Sequence, residues 1–316
     1  MIRRAALGVS GGVLLLWAAA TASFLLMRVI PGDPVAVMLG PQANVSEDVK
    51  QRLQEQLGLD RPVLQQYADY LGGLLRGDFG ESFQLRLPVT EVIGRQLGAT
   101  LQLTLAALAI ALALVLVVAI VARTRRARAL AATIEQVVLG MPVFWIGLIL
   151  LSVFAFGLGW LPVSGSRPGS LVLPAVTLAL PTAALLGQLL RDGLEQAERS
   201  NFAETVRARG AGDIRLLAHH NLRHATVGVL PMLAYLIGSL LGGAVLVETV
   251  FARPGLGRVT LAAITDRDAP VLSGVLLLSC AVFVVVSLLS DLAIPLLDPR
   301  RRARVAASVP DGEESA

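Results

Sequence analysis

The sequence predicts an all-α integral membrane fold with six transmembrane helices, and three observations predict it. Hydrophobic residues make up 55% of the 316-residue chain, and the mean hydropathy is +0.70. Apolar runs of about 20 residues, the length that crosses a bilayer as a helix, recur with polar connectors between them. Arginine gathers in alternate connectors, the distribution expected when basic short loops remain cytoplasmic.

In chain order the expected spans are Val9–Met27, Thr100–Ala122, Val137–Leu161, Leu171–Leu190, Ala225–Val247 and Val271–Leu297. None carries a charge at its centre; Glu135 and Arg191 lie at or beyond span ends, and Asp291 lies near the end of the last. Arg3 and Arg4 precede the first span, Arg123, Arg125, Arg126 and Arg128 follow the second, and Arg300, Arg301, Arg302 and Arg304 follow the sixth. With six spans these clusters fall on one side, which makes both termini cytoplasmic and turns Val29–Ala99 outward. The start of the chain also has features of a secretory signal. Its apolar run continues to Met27, longer than the ~7–15 residues of a signal core, so an uncleaved anchor is expected. Pro142, Pro181, Pro231 and Pro295 fall inside or near the ends of spans and are expected to kink them, for gating or for packing alone. Cys280 has no partner in the chain, so packing is its default role.

Arg191 to His224 is a polar stretch far longer than a membrane connector needs. Its spacing reads as two short helices broken at Gly210-Ala211-Gly212. Asn201 can cap the first, with Glu204 completing a capping box. Arg207 and Arg209 fall in its last turn, where positive charge suits the helix dipole. Asp213 can cap the second, which gathers Ile214, Leu217, Ala218 and Leu222 on one apolar stripe. A short amphipathic hairpin at the membrane surface is a docking device.

Several functions are disfavoured by what the chain lacks. Lys50 is the only lysine and is remote from any glycine-rich turn, so no phosphate-binding loop exists and any ATP must be hydrolysed by a partner. Ionisable groups in mid-span, the relays of coupled carriers, are missing. No His-Glu-x-x-His metal motif occurs, and His219, His220 and His224 read as surface residues of an interfacial helix, so no metal, cofactor or catalytic residue is expected. A hairpin tethered at both ends lacks the freedom of a DNA-reading helix, so nucleic acid is not expected as a partner.

With these residues in view, the chain resembles the permease subunits of binding-protein-dependent ABC importers, in particular their dipeptide/oligopeptide/nickel branch. Glu204, Gly210 six residues on, and His220-Asn221-Leu222-Arg223 fit the spacing of that family's cytoplasmic coupling loop. Thr205-Val206 stands where the family motif has Ala-Ala, and Arg223 replaces its final proline, as in the peptide branch. Arg28-Val29-Ile30-Pro31-Gly32-Asp33-Pro34, Leu57-Gly58-Leu59-Asp60-Arg61-Pro62, Gly77-Asp78-Phe79-Gly80, Glu248-Thr249-Val250-Phe251 with Pro254-Gly255-Leu256-Gly257, and Asp298-Pro299-Arg300 match further signatures in order.

The resemblance implies one half of a translocation pathway for peptides in a bacterial cytoplasmic membrane. The implied partners are a second, similar permease subunit, two ATP-binding subunits and an extracytoplasmic substrate-binding protein. Glu204, Thr205, Val206, Arg207, Gly210, His220, Leu222 and Arg223 become the ATPase-coupling residues, and Glu248, Phe251, Pro254, Gly255 and Gly257 an outward structural motif. The implied division is 1–99 as the first helix with an outward section and 100–304 as the permease section, while the acidic composition of 305–316 reads as a disordered tail. Gln102, Gln188, Tyr235 and Ser239 are polar residues within spans. They have two readings, pathway lining and interhelical hydrogen bonding, the latter being the commoner use. A secondary carrier or channel with a docking loop is the alternative class. Relatives with the same framework import nickel chelates, glutathione or haem, so cargo rests on the resemblance alone.

Overall fold

The computed structural model describes residues 2–29, 35, 38, 46–56, 58–122, 124–163, 169–198 and 222–297. The described residues are helical apart from turns and one isolated bridge, Glu81 to Pro88. In order the helices are α1 (Ile2–Val29), α2 (Glu47–Gln56), α3 (Val63–Leu75), α4 (Val89–Val121), α5 (Arg125–Gly140) and α6 (Val143–Leu150). A π-helical segment, Leu151–Gly157, continues α6, followed by α7 (Val172–Glu198), α8 (Leu222–Val250), α9 (Leu256–Thr265) and α10 (Ala269–Leu297).

The centre of the bundle is α7, packed against α4, α8, α5 and α6. Ala107 and Ala111 of α4, Ala175 and Ala179 of α7, and Ala244 of α8 meet in its core with Leu103, Leu178 and Val247. Small residues let backbones approach closely, which is how helices associate where lipid removes the hydrophobic drive between them. The outer faces are apolar: Leu14 and Trp17 of α1, Val117 and Ile120 of α4, and Val285 and Leu289 of α10 are all exposed. That is the pattern of a surface solvated by lipid. Four described helices are long and apolar enough to cross a membrane, or up to five with the bent pair formed by α5 and the α6–π segment. The fifth expected span falls on α8, whose described apolar part is Gly238–Val250.

Three boundaries differ from the sequence reading. α4 starts at Val89 and not Thr100, because polar Glu91 and Arg95 end the apolar run without ending the helix. Its 33 residues give about 50 Å, so its first turns outreach the ~30 Å hydrocarbon layer. The continuous third span expected over Val137–Leu161 is broken. α5 ends at Gly140, and the chain turns by 105° before the next helix starts at Val143. Pro142 lacks an amide hydrogen and disfavours helix at Met141, which is extended with ψ 133°. Thirdly, α7 runs through Glu198 and α8 begins at Leu222, so helix occupies both ends of the polar stretch. Pro181 lies within α7, which is assigned as one helix across it. The capped hairpin and the coupling residues Glu204 to His220 lie outside the described residues. Leu222 and Arg223 form the first turn of α8.

Between α1 and α4 the glycine and arginine signatures have local jobs. Gly58 and Gly80 adopt left-handed φ values of 64° and 80°, which glycine tolerates without steric cost. The Gln66 side-chain amide donates to the Leu59 and Arg61 carbonyls at 3.0 and 2.8 Å, tying that turn to α3. α3 in turn meets α1 through a Thr21–Tyr67 hydrogen bond of 2.7 Å and the stacking of Phe24 near Tyr67 and Tyr70.

Candidate functional site

Helix α9 begins with amide groups that no intrahelical carbonyl can accept, and side chains from two other helices accept them. The Leu256 N–H donates to Thr100 Oγ1 of α4 at 2.8 Å, and the Gly257 N–H donates to Glu248 Oε2 of α8 at 2.7 Å. The Thr100 hydroxyl then donates to Glu248 Oε1 at 2.6 Å, closing a three-helix clasp. Glu248 and Thr100 are buried, and so is Phe251 one turn later. Glycine is required by contact: a Cβ on Gly255 would lie 2.1 Å from Glu248 Cδ, and one on Gly257 would lie 2.3 Å from Val245 Cα. The turn between α8 and α9 closes with Arg253 N–H on the Glu248 carbonyl at 2.8 Å and Ala252 N–H on Thr249 at 3.2 Å, Ala252 being left-handed (φ 47°). This is a Schellman closure with alanine in the usual glycine place.

A second junction lies at the same end of the bundle. Asp268 caps α10 through the Val271 N–H, 3.5 Å away. Its carboxylate also accepts from the Ser82 hydroxyl and from the Phe83 and Gln84 amides at 3.2 and 3.3 Å. Phe79, from the Gly77–Gly80 signature, packs against the core cluster that holds Val89, Ile93 and Val271. Asp268→Ala is expected to cost about 2–4 kcal/mol, combining a lost cap with buried donors left unsatisfied. Thermal unfolding in detergent, with trypsin cleavage at the adjacent Arg86 as a local readout, measures it. Asp268→Asn keeps the acceptor oxygen and should lose less; equal losses would count against the clamp.

At the arginine-rich end of the bundle, Arg191 Nη2 of α7 donates to Glu135 Oε2 of α5. The two side chains are 18% and 10% exposed. Gly187, one turn earlier on α7, makes room for the carboxylate, since a Cβ there would lie 2.7 Å from Glu135 Oε1.

The polar residues expected within spans do not form one cluster. Gln102 is exposed at the clasp end, where Arg253 Nη2 donates to it at 3.4 Å. Gln188 is half-buried next to Gly187, beside the Glu135 contact of α7. Tyr235 and Ser239 share an exposed face of α8 four residues apart, and the Ser239 hydroxyl donates to the Leu236 carbonyl at 3.0 Å. Pro254 is exposed beside the clasp. Among the described residues, no three His, Cys, Asp or Glu side chains group as metal ligands.

Sequence reasoning found Glu248 and its glycines but not Thr100, Asp268 or the pairing of Glu135 with Arg191. Asp268-Ala269-Pro270 carries a readable signal, an N-cap aspartate followed by proline in the first turn. A lone threonine inside an apolar run carries none.

These helices and signatures coincide with a known family. Residues 109–303 match the family described as binding-protein-dependent transport system inner membrane component, and residues 1–104 match the N-terminal membrane component of such systems. The chain belongs to this family of inner-membrane transport components. It is a permease subunit, and the carrier or channel alternative falls away. Among individual relatives, a probable peptide ABC transporter permease, y4tP of Sinorhizobium fredii, is 35% identical over 88% of this chain and 92% of its own. The di/tripeptide transport system permease DppB of Pseudomonas aeruginosa is 34% identical over 89% and 93%. The glutathione transport system permease GsiC of Escherichia coli K12 is 32% identical over 88% and 92%. A crystal structure of an amino acid ABC transporter with histidines shares the fold, with a TM-score of 0.50 at 20% identity over 67% of this chain and 94% of that one.

Proposed function

We propose that this chain forms half of the translocation pathway of an ATP-driven importer of di- or oligopeptides. The observation that carries the reading is its 35% and 34% identity, over nearly nine-tenths of its length, to two permeases named for peptide transport. In this reading the chain crosses six times, and the arginine-rich connectors put both termini and the Arg191–His224 stretch in the cytoplasm and the clasp end outside. The exposed apolar faces of α1, α4 and α10 then meet lipid and a second, similar permease subunit. Two ATP-binding subunits dock on the coupling residues Glu204, Thr205, Val206, Arg207, Gly210, His220, Leu222 and Arg223. An extracytoplasmic binding protein delivers cargo at the clasp end. ATP is hydrolysed by the docked subunits, because the only lysine, Lys50, lies on α2 paired with Glu47. The proposed boundary at residue 99 falls inside α4, so the outward and permease sections share one rigid helix. Gln102, Gln188, Tyr235 and Ser239 remain the proposed pathway-lining residues; the first, third and fourth are exposed and Gln188 is half-buried.

Mechanically, closure of the ATP-binding pair displaces the coupling segment and with it α7 and α8, which pack along one another. Two packed arrangements, each favoured by a different nucleotide state of the partners, are sufficient for alternating access. Purification of the tagged chain from its native membrane tests the assembly, and ATP-dependent uptake of a labelled dipeptide tests the cargo. Stoichiometric recovery of a second permease and ATP-binding subunits is the expected result. A chain recovered alone in gentle detergent would sink the reading, and competition by glutathione but not by dipeptide would reassign the cargo.

A further inference from the structure

Glu135 of α5 and Arg191 of α7 hold a charged contact of low exposure between two helices. Leu130, Ile134 and Val137 of α5 are exposed, so the helix packs on α7 along the opposite face, where Glu135 is buried. The carboxylate of Glu135 is pressed against the α7 backbone at Gly187 and takes the guanidinium of Arg191. Two turns after Arg191, α7 ends at Glu198 and enters the segment proposed to dock the ATPase. In the other direction, α5 turns by 105° at Met141–Pro142 into α6. There Gly147 packs against Phe251, Val250 and Thr177, and a Cβ on it would lie 3.2 Å from the Phe251 ring. Phe251 lies one turn beyond Glu248, the carboxylate of the clasp. The bent α5–α6 pair therefore packs on α7 at the arginine end, where the Glu135–Arg191 pair sits in the contact, and reaches the clasp residues with its other arm.

We infer that the Glu135–Arg191 pair is the positioning contact through which displacement of α7 is passed to the bent pair, and so to the clasp end of the pathway. This rests on the importer reading above. A directional, charge-assisted hydrogen bond at low exposure fixes the register of α5 on α7. Apolar contacts alone would let the helices slide. Neither residue touches cargo or nucleotide; both act through the helices they join.

The test separates this role from simple stability. Removing one partner of a buried pair leaves an uncompensated charge, whereas replacing both is often close to neutral for folding. The double variant E135Q/R191Q is therefore the informative one, with E135Q and R191Q alongside. Each is assembled with the second permease, the ATP-binding subunits and the binding protein in proteoliposomes, and labelled dipeptide transported per ATP hydrolysed is measured. The double variant is expected to purify as a complete complex with wild-type Tm and to hydrolyse ATP. Its transport per ATP is expected to fall about tenfold, within the range of typical coupling between sites. A wild-type ratio in the double variant overturns the inference. So does a loss in the single variants that the double variant reverses together with Tm, which would mark a purely structural pair. Failure of the wild-type complex to take up dipeptide in an ATP-dependent way overturns the importer reading itself, and is visible without any variant.

Discussion

Gly257→Ala is expected to destabilise the protein by about 3 kcal/mol, the upper part of the usual cost of overpacking. The added methyl would meet the backbone of α8, 2.3 Å from Val245 Cα, and backbone cannot rotate away as a side chain does. α9 must then lift off α8, which parts the Gly257 N–H from Glu248 and the Leu256 N–H from Thr100. Lifting one helix thus breaks two of the three hydrogen bonds of the clasp and leaves only Thr100 on Glu248. Gly255→Ala meets first the Glu248 carboxyl, which can swing out at the expense of its hydrogen bonds. It should be the milder of the two. Gly242, on α8 before the clasp, has nothing within 4 Å of an added Cβ, and Gly242→Ala should leave Tm near wild type. Thermal unfolding of the three purified variants ranks them, and equal Tm values would remove the clasp as a source of stability.

The second large effect concerns coupling and not stability. Gly210→Pro and Glu204→Arg are each expected to reduce uptake by about tenfold or more, while the amount of inserted protein stays unchanged. Proline at 210 removes an amide hydrogen and fixes φ where the sequence calls for a break between two short helices. Arginine at 204 destroys the capping box with Asn201 and puts positive charge near a helix N-terminus, against its dipole. The stretch is hung between α7 and α8, so its displacement acts on both core helices at once. Quantitative immunoblotting of membranes beside uptake assays separates the two quantities. Normal uptake by both variants would strip this stretch of its docking role.

Much of the bundle was legible because hydropathy reports lipid contact directly. α1, α7 and α10 contain the expected runs, and their ends differ mainly where helix continues into polar sequence. That is also why α4 was read short: Glu91 and Arg95 end the apolar run while the helix continues through both. The break at Met141–Pro142 was legible only as a proline kink, not as a 105° turn between two helices. Proline is common in membrane helices, and residues 137–140 just before it are as apolar as the residues after it, so the polar helix that precedes them was not read as part of the same element. In the site, Glu248 and the glycines were legible as a motif, but their reason was not. The motif exists to receive Thr100, a residue 148 positions away whose type is unremarked in a spanning helix. Glu135 and Arg191 were each visible as charges at span ends. Only the fold reveals that the two ends face each other.

The Ser82–Asp268 junction has a consequence for how the chain is made. The two residues are 186 positions apart, and Asp268 begins the last helix. While the ribosome is still extending the chain toward α10, the Ser82–Gln84 turn has no acceptor for its hydroxyl and amides. The first third of the molecule therefore waits on the last to finish folding. A product truncated before α10 keeps the segment preceding α4 unlatched and open to membrane proteases, whereas the full chain closes it. Pulse–chase comparison of full-length protein with a chain ended at Thr265 should show the shorter one cleared faster, and Asp268→Ala should move the full chain toward that fate.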